Sequence, residues 1–411
     1  MTINWSQIEG TALSDGLQLM KEIQAFGYEA YIVGGAVRDI VMGSTQIHDV
    51  DIATNMPMEE IKKNFKAYEY GGGERHGTLL VNRNGEIFEL TQFRTEGTYT
   101  DGRRPDNVDF VKSFEEDSKR RDFTINAMGV DVDGVVIDYH GGCEDISNKL
   151  LRTVGDASER FNEDALRMVR AVRIAAKLGF KIDSTVIDAI KKYKQLLSSV
   201  SKERIRDELQ KLADVGPRAF AYGIELVAFT DLLDYIIEGP RCCDVSQSVE
   251  RISKLQSGYF ELYLAILFDV YIPSTVKLCE QLKLTNDQIM SIDFAINTMV
   301  KLNQLMEMSR VEAYKIVSHK YFNLTKDLYL AYHNDSDILI DIEFISKFKV
   351  AYAMQKTISA LMLKCELFPP GPEFGKTLSS ILNIVFHYFE TNEELPTEEI
   401  ICMWLAYERK L

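Results

Sequence analysis

The sequence predicts an α+β fold, in which an N-terminal mixed sheet with helices precedes a remainder that is helical throughout. Three observations carry this expectation. Short apolar runs with a period of two, bounded by glycine-rich turns, recur before the turn at Asp133-Gly134. From about Asp183 onward the apolar period is helical, and glycine and proline are confined to a few breaks. Between residues 31 and 54 the stretch YIVGGAVRDIVMGSTQIHDVDIAT joins strand, glycine pair, short helix and second strand in one unit.

In that unit Tyr31, Ile32 and Val33 form an apolar strand that breaks at Gly34-Gly35. A short amphipathic segment with Arg38 and Asp39 follows, and the chain returns at Val50 as a second strand bearing Asp49 and Asp51. Side chains alternate across a strand, so both carboxylates stand on one face with Val50 on the other. Unpaired, they repel, and each pKa rises unless a cation is shared. Mg²⁺ answers that need, because it keeps several waters and takes one or two carboxylates plus substrate phosphates. The glycines let the backbone approach closely, and the N–H groups that open the next helix can hold an anion beside Arg38. The stretch reads as a site for a metal–triphosphate; the plainer alternative is a strand end and a bend.

Residues 5–27 predict an amphipathic helix on the first sheet, with Ile8, Leu13, Leu17, Met20, Ile23 and Phe26 as its stripe. A helix over 57–65, capped near Asn55, follows the second strand, and GGGERHGTLLV is a turn leading into another strand. In IFELTQF, Phe88, Leu90 and Gln92 alternate with Ile87, Glu89 and Thr91. If this strand neighbours the one carrying Asp51, Glu89 is a third carboxylate; otherwise it is a surface acid. His76 reads as a turn or core histidine. Residues 94–110, with Asp101, Arg103, Arg104 and Asp106, are expected to form a long mobile loop of the kind that often serves function. In KRRDFTINAM, Arg121 offers a bidentate phosphate donor, and Asp122 and Asn126 take sugar hydroxyls or orient arginines. A surface ion-pair cluster is the alternative there.

Residues 161–173, FNEDALRMVRAVR, predict one periodic helix whose apolar positions are Phe161, Ala165, Leu166, Met168, Val169 and Val172. Asp164, Arg167, Arg170 and Arg173 recur every three residues on one face. Three close arginines repel unless something anionic lies before them. A carboxylate and a guanidinium one turn apart also present acceptor and donor together, as reading a base edge requires.

The 411 residues suggest two to four domains, and 46% hydrophobic with 27% charged residues is ordinary for a soluble protein. No run of about 18 apolar residues and no basic-then-apolar start appear, so neither a membrane span nor a signal peptide is expected, and a cytoplasmic location fits. The six cysteines, Cys143, Cys242, Cys243, Cys279, Cys365 and Cys402, lack zinc-like spacing and predict reduced thiols, without zinc or disulfides. A net charge of −15 excludes indiscriminate coating of nucleic acid. It leaves room for a local basic track, since residues 160–211 hold 13 Lys and Arg against 7 Asp and Glu. Residues 371–411 hold 3 against 7.

Together, GGAVRD followed by DVD, RRDFTINAM and EDALRMVRAVR resemble, in order and spacing, the bacterial class II tRNA nucleotidyltransferases, the CCA-adding enzymes of the polymerase β-type superfamily. The resemblance covers residues 28 to about 212; beyond that the chain resembles the family in being helical, with a GPEFGKTL-like segment near its end. It implies a nucleotidyltransferase head over 1–150, a base-recognising neck over 151–212, a helical body over 213–290 and a tRNA-binding helical tail over 291–411. It also implies addition of C, C and A to the 3′ end of tRNA from CTP and ATP, with no template strand. Asp49 and Asp51 would hold the catalytic Mg²⁺ with Glu89 beside them. Gly35, Arg38, Arg121, Arg170 and Arg173 would line the nucleotide site, and Asp164 and Arg167 would pair with the base.

Within the same chemistry an enzyme adding only A, one adding only CC, or a poly(A) polymerase competes. The 94–110 segment argues against CC-only addition, and the acidic C-terminus against a poly(A) polymerase. From a different class, a catalytically silent RNA-binding protein would have no use for the intact Asp49 and Asp51. A small-molecule nucleotidyltransferase would not need the arginine face or the long helical half. No HD-type phosphohydrolase signature is visible.

Overall fold

The computed structural model describes residues 1–8, 11–47, 49–69, 77–97, 99, 107–333, 336–364 and 371–408. The chain divides into two packed units. The first comprises Met1–Pro240, Asp244–Val249 and Gln281–Lys283; the second comprises Arg241–Cys243, Glu250–Glu280 and Leu284–Leu411.

A seven-stranded sheet organises the first unit. Its strands are β1 (Ala30–Val33), β2 (Asp51–Thr54), β3 (Ala67–Tyr68), β4 (Thr78–Arg83) and β5 (Glu86–Gln92). Next, β6 (Arg94–Glu96) and β7 (Val108–Phe110) form a hairpin of their own, and β8 (Gly129–Val130) and β9 (Val136–Ile137) rejoin the sheet. The spatial order β3-β4-β5-β2-β1-β8-β9 puts β2 in the middle. It runs antiparallel to β1, with Asp51 opposite Val33, and parallel to β5, with Asp51 opposite Glu89.

The period of two then sorts the faces. Ile32, Ile52, Phe88 and Leu90 form one core with Leu13, Met20 and Ile23 of α1 (Thr11–Ala25). Phe26 falls beyond that helix and is exposed. On the opposite face Val33, Ala53, Phe93 and Phe114 cluster with Tyr31 packed against them. Asp51 shares this second face with Ala53, two residues on, and Glu89 shares it by alternation with Phe88 and Leu90. Short helices α2 (Gly35–Val41), α3 (Met58–Asn64), α4 (Phe114–Ser118) and α5 (Gly142–Asn148) connect the strands.

Two sequence expectations are corrected. Residues 161–173 are not one helix: α6 (Ala157–Glu163) ends at Asp164, whose backbone is extended, and α7 (Leu166–Leu178) begins after Ala165. The Asp164 carboxylate accepts the Leu166 N–H at 3.0 Å. A short polar side chain that bonds backbone two residues on competes with helix continuation, a conflict that apolar periodicity does not reveal. Residues 94–110 are not loop throughout, because β6 pairs with β7 and Glu96 faces Val108. The segment's central residues, including Asp101, Arg103, Arg104 and Asp106, lie outside the described residues, as does His76.

The limits that the resemblance implies fall inside elements of the structure. The limit at 150/151 cuts β10 (Leu150–Leu151), which pairs in parallel with β11 (Lys181–Ile182). After α8 (Ser184–Tyr193), the limit at 212/213 cuts α9 (Lys202–Ala213) just before α10 (Pro217–Phe229), and α7, α9 and α10 pack on one another. The limit at 290/291 cuts the helix Asn286–Met299. Motif ends mark where chemistry stops, and packing continues past them.

In the second unit the helices Phe260–Phe268, Asn286–Met299 and Phe322–Tyr332 pack together. Thr285 and Gln288 close a capping box at the start of Asn286–Met299. Farther on, Ile381, Val385 and Phe386 of the helix Pro372–Asn392 bury against Phe348, whose ring stacks on Phe386 at 4.9 Å. Among the described residues no helix is long and apolar enough to cross a membrane.

Gly223 of α10 marks the close contact across residue 212, since a Cβ there would lie 2.3 Å from Leu212 Cδ2 and 3.5 Å from the Ala176 Cβ. Gly223→Leu should overpack this contact and destabilise the protein by about 1–3 kcal/mol. Thermal unfolding would show the drop; an unchanged Tm would mean that the helices across 212 are not packed as one layer.

Candidate active site

Asp51 opens β2 beside a cavity of about 580 Å³. Gly34, where β1 turns into α2, approaches from the side with φ 74° and ψ −139°, a conformation that disfavours any side chain. A Cβ there would stand 3.6 Å from Asp51 Oδ2. The carboxylate is reached from the cavity, yet its pKa is pushed up to about 6, first by the walls that withdraw it from water, then by Glu89 and Asp49. Asp49 lies just ahead of the strand rather than in it, and both Asp49 and Glu89 are exposed. A carboxylate whose pKa is raised by burial and by acidic neighbours is the donor chemistry a hard divalent cation relieves. Among the described residues no three His, Cys, Asp or Glu side chains converge to enclose an ion.

The remaining walls are arginines, each held by a carboxylate. Arg94 of β6 and Arg120 both reach Glu96 Oε1, at 2.8 and 3.2 Å. Burial alone would raise the Glu96 pKa, but Arg120 and Arg94 outweigh it and hold the carboxyl below its ordinary value. The Tyr99 hydroxyl donates to the same side chain, and burial and Glu96 push its pKa up. Arg121 is bound to Asp117 at 3.0 Å, and Arg170 to Asp122 through Nε at 3.0 Å and Nη2 at 2.6 Å. Arg167 pairs with Glu163. Asp164 is gripped by Arg204 of α9, whose Nη2 lies 2.6 Å from Oδ2 and Nη1 3.3 Å from Oδ1. Arg94, Arg120, Arg121, Arg167, Arg170 and Arg204 line the cavity against Asp51, Glu96, Asp122 and Asp164, a net charge of +2. The geometry offers an anion-receptive chamber with a carboxylate edge.

Comparison with known proteins agrees. A family model described as the poly A polymerase head domain matches residues 30–152, and one described as a probable RNA and SrmB-binding site of polymerase A matches 179–240. A CCA-adding enzyme of Streptococcus agalactiae is 53% identical over 196 residues, so that this match spans about half the length of either chain, 48%. Another, of Streptococcus mutans, is 34% identical over 381 residues, covering 90% of this chain and 92% of that relative. The chain belongs to the CCA-adding enzyme family. The crystal structure of the Bacillus stearothermophilus CCA-adding enzyme in complex with CTP superposes with a TM-score of 0.78 at 28% identity, covering 98% of each chain.

Of the residues expected at the site, Gly35, Asp51, Arg121, Asp164, Arg167 and Arg170 line the cavity. Asp49, Glu89, Arg38 and Arg173 are not among its lining residues. Arg38 of α2 is buried, its Nε 2.8 Å from Asp39 and its Nη1 2.9 Å from Asn126. Arg173 points away to Glu208 at 2.5 Å, because a helix carrying an arginine every three residues rotates successive ones off a common direction. Sequence reasoning missed Arg94, Glu96, Tyr99 and Arg204. The Arg94-Thr95-Glu96 alternation was available as a strand signal, whereas nothing local links Arg204 to Asp164 across 40 residues.

The strain at Asp51 gives a signed expectation. Its folded-state pKa of about 6 lies above the ordinary 3.8, so the folded protein binds more protons between these values and loses stability as pH rises through them. Asp51→Asn removes the penalty. In metal-free buffer the variant should unfold at a higher temperature than the parent at pH 7.5, with the difference closing toward pH 4. Equal melting profiles at pH 7.5 would remove the strained carboxylate from the account.

Proposed function

We propose that this chain adds C, C and A to the 3′ end of tRNA from CTP and ATP, releasing pyrophosphate, without a template strand. The observation that carries this reading is the chamber itself: one cavity joins Asp51 to phosphate-binding guanidiniums and to the paired Asp164 and Arg204. Membership of the CCA-adding enzymes and similarity to the relative solved with CTP support it.

Arg121 and Arg120 hold the triphosphate, with Gly35 and the buried Arg38 shaping the adjoining turn. Asp164, fixed by Arg204, offers an acceptor, and Arg167 a donor. Cytosine and adenine both present an exocyclic amino donor beside a ring-nitrogen acceptor, whereas uracil and guanine present the reverse. An acceptor–donor pair therefore admits C and A. Arg170, tied to Asp122, contributes positive charge, and Arg173 braces the helix behind it. The primer 3′-hydroxyl oxygen attacks the α-phosphorus as the bond to the bridging oxygen breaks and pyrophosphate departs, its charge met by the arginines. Asp49 and Asp51, with Glu89 near, fit Mg²⁺, which when bound would neutralise phosphate charge and acidify the attacking hydroxyl.

The test uses purified protein and tRNA transcripts ending before CCA, after C, or after CC, each offered CTP, ATP or both, with product ends sequenced. Completion to CCA from all three is expected, and EDTA, Asp49→Ala or Asp51→Ala should each stop it while circular dichroism stays unchanged. Addition of A alone after CC, or long A tracts on any RNA, would replace the reading by an A-adding enzyme or a poly(A) polymerase. No addition at all would favour a silent binder.

Base choice gives a separate prediction. Arg167→Ala should lower discrimination against UTP and GTP by roughly 10- to 100-fold, the loss of one base-directed donor worth about 1–3 kcal/mol. Unchanged competition between CTP and UTP would take Arg167 out of base reading.

A further inference from the structure

Beneath the phosphate end of the cavity lies a carboxylate that does not line it. Asp117, on α4, is wholly buried, and both its oxygens are taken by groups from the cavity wall. Oδ1 accepts the Arg94 backbone N–H at 3.2 Å and Arg120 Nε at 2.9 Å. Oδ2 accepts Arg121 Nε at 3.3 Å and Nη2 at 3.0 Å. Four donors use the capacity of an ionised carboxylate.

Arg120 and Arg121 are consecutive, and nothing in consecutive residues favours convergence. Here both return toward α4 because it places Asp117 three and four residues before them. Two neighbouring guanidiniums repel, and burial works against the charge of Arg121. The shared anion answers both problems. It engages Nε and Nη2 of Arg121, and among the described residues Nη1 takes no protein partner, which leaves it for a ligand.

We infer that Asp117 is the positioning residue for the triphosphate: it touches no substrate, but it aims Arg121 and Arg120 into the cavity and so sets nucleotide affinity without setting base choice. The base end is held by other pairs, Asp164 with Arg204 and Arg167 with Glu163, on α6, α7 and α9. This inference rests on the nucleotidyltransferase reading above.

The test measures CTP and ATP binding to the full-length protein by calorimetry, and KM and kcat where addition occurs, for Asp117→Asn, Asp117→Glu, Arg121→Ala and Asp117→Asn with Arg121→Ala. Asp117→Asn should weaken both nucleotides equally, by about 10- to 100-fold as when supporting partners of ligand-binding groups are lost. It should leave competition between CTP and UTP unchanged. In the Arg121→Ala background the same change should add little, because its effect is transmitted through Arg121. Asp117→Glu, which keeps the charge, should recover part of the affinity. Unchanged Kd in Asp117→Asn would overturn the inference, as would a full additional loss in the Arg121→Ala background. If Asp117→Asn fails to fold, Asp117→Glu carries the test through its readouts: altered competition between CTP and UTP, with the Kd of both nucleotides unchanged, would overturn the inference. Calorimetry separates the two readings, for a parent that binds CTP without adding nucleotides defeats the proposed reaction and still tests Asp117.

Discussion

Like charges held close together are the constraint on which the rest of this site depends. At one end of the cavity Asp51 faces Glu89 and Asp49; along the rest, six arginines line one chamber. Neither group would gather spontaneously in a folded chain. The acids are forced together by backbone register, since β2 sits between β1 and β5 and its hydrogen bonds leave Asp51 no other place. The arginines are tolerated by a different device, a carboxylate behind each guanidinium. Register is rigid and leaves the acids strained, whereas ion pairing is local and leaves the arginines satisfied. The two ends therefore differ in what they offer a ligand: relief of repulsion at the first, exchange of partners at the second.

That division explains what could be read from the residues alone. Alternation in IFELTQF is a property of a few consecutive positions, so the buried set Phe88, Leu90 and Gln92 was legible, whereas Glu89 stayed open between a third carboxylate and a surface acid until the pairing of β2 with β5 set it opposite Asp51. The helix through residue 164 was misjudged for the same reason in reverse. Its apolar period runs on unbroken, and the interruption comes from a side-chain bond to the Leu166 N–H that no periodicity registers. Arg204 and Asp164 meet only because α9 packs on α7, and a contact between residues 40 apart has no local signature. Asp117 is the instructive case, for its spacing of three and four from Arg120 and Arg121 stood in plain sequence. The run KRRD reads equally well as a solvated ion-pair cluster, and burial alone separates the two.

The domain limits teach a related lesson. The limits at 150, 212 and 290 that the resemblance implies each fall inside a strand or helix. Chemistry and packing have different boundaries in this chain because the cavity-lining Arg167 and Arg170 sit on α7, whose other face is core: Leu166, Met168, Val169, Val172 and Ala175 are buried there. A helix with one functional and one structural face belongs to both layers. The second unit is built instead around aromatic packing such as Phe348 stacked on Phe386.

Under the proposed reading, a site that selects without a template strand must itself be stiff, since discrimination between bases vanishes if acceptor and donor can swing to suit either pattern. The pairing found here supplies that stiffness. Asp164 is fixed twice, by the Leu166 N–H at its own helix start and by the fork of Arg204 from a different helix, so its carboxylate is constrained in position and in rotation. Arg167 is held by Glu163 on the preceding helix, across the break at Asp164. Had residues 161–173 formed one straight helix, Asp164 would have projected from the surface that carries Arg167, with its orientation left to solvent. The interruption costs one turn of helix and places acceptor and donor on separate, separately anchored segments. Such an arrangement can be tuned at one position without loosening the other, which is what reading a base by protein side chains alone requires.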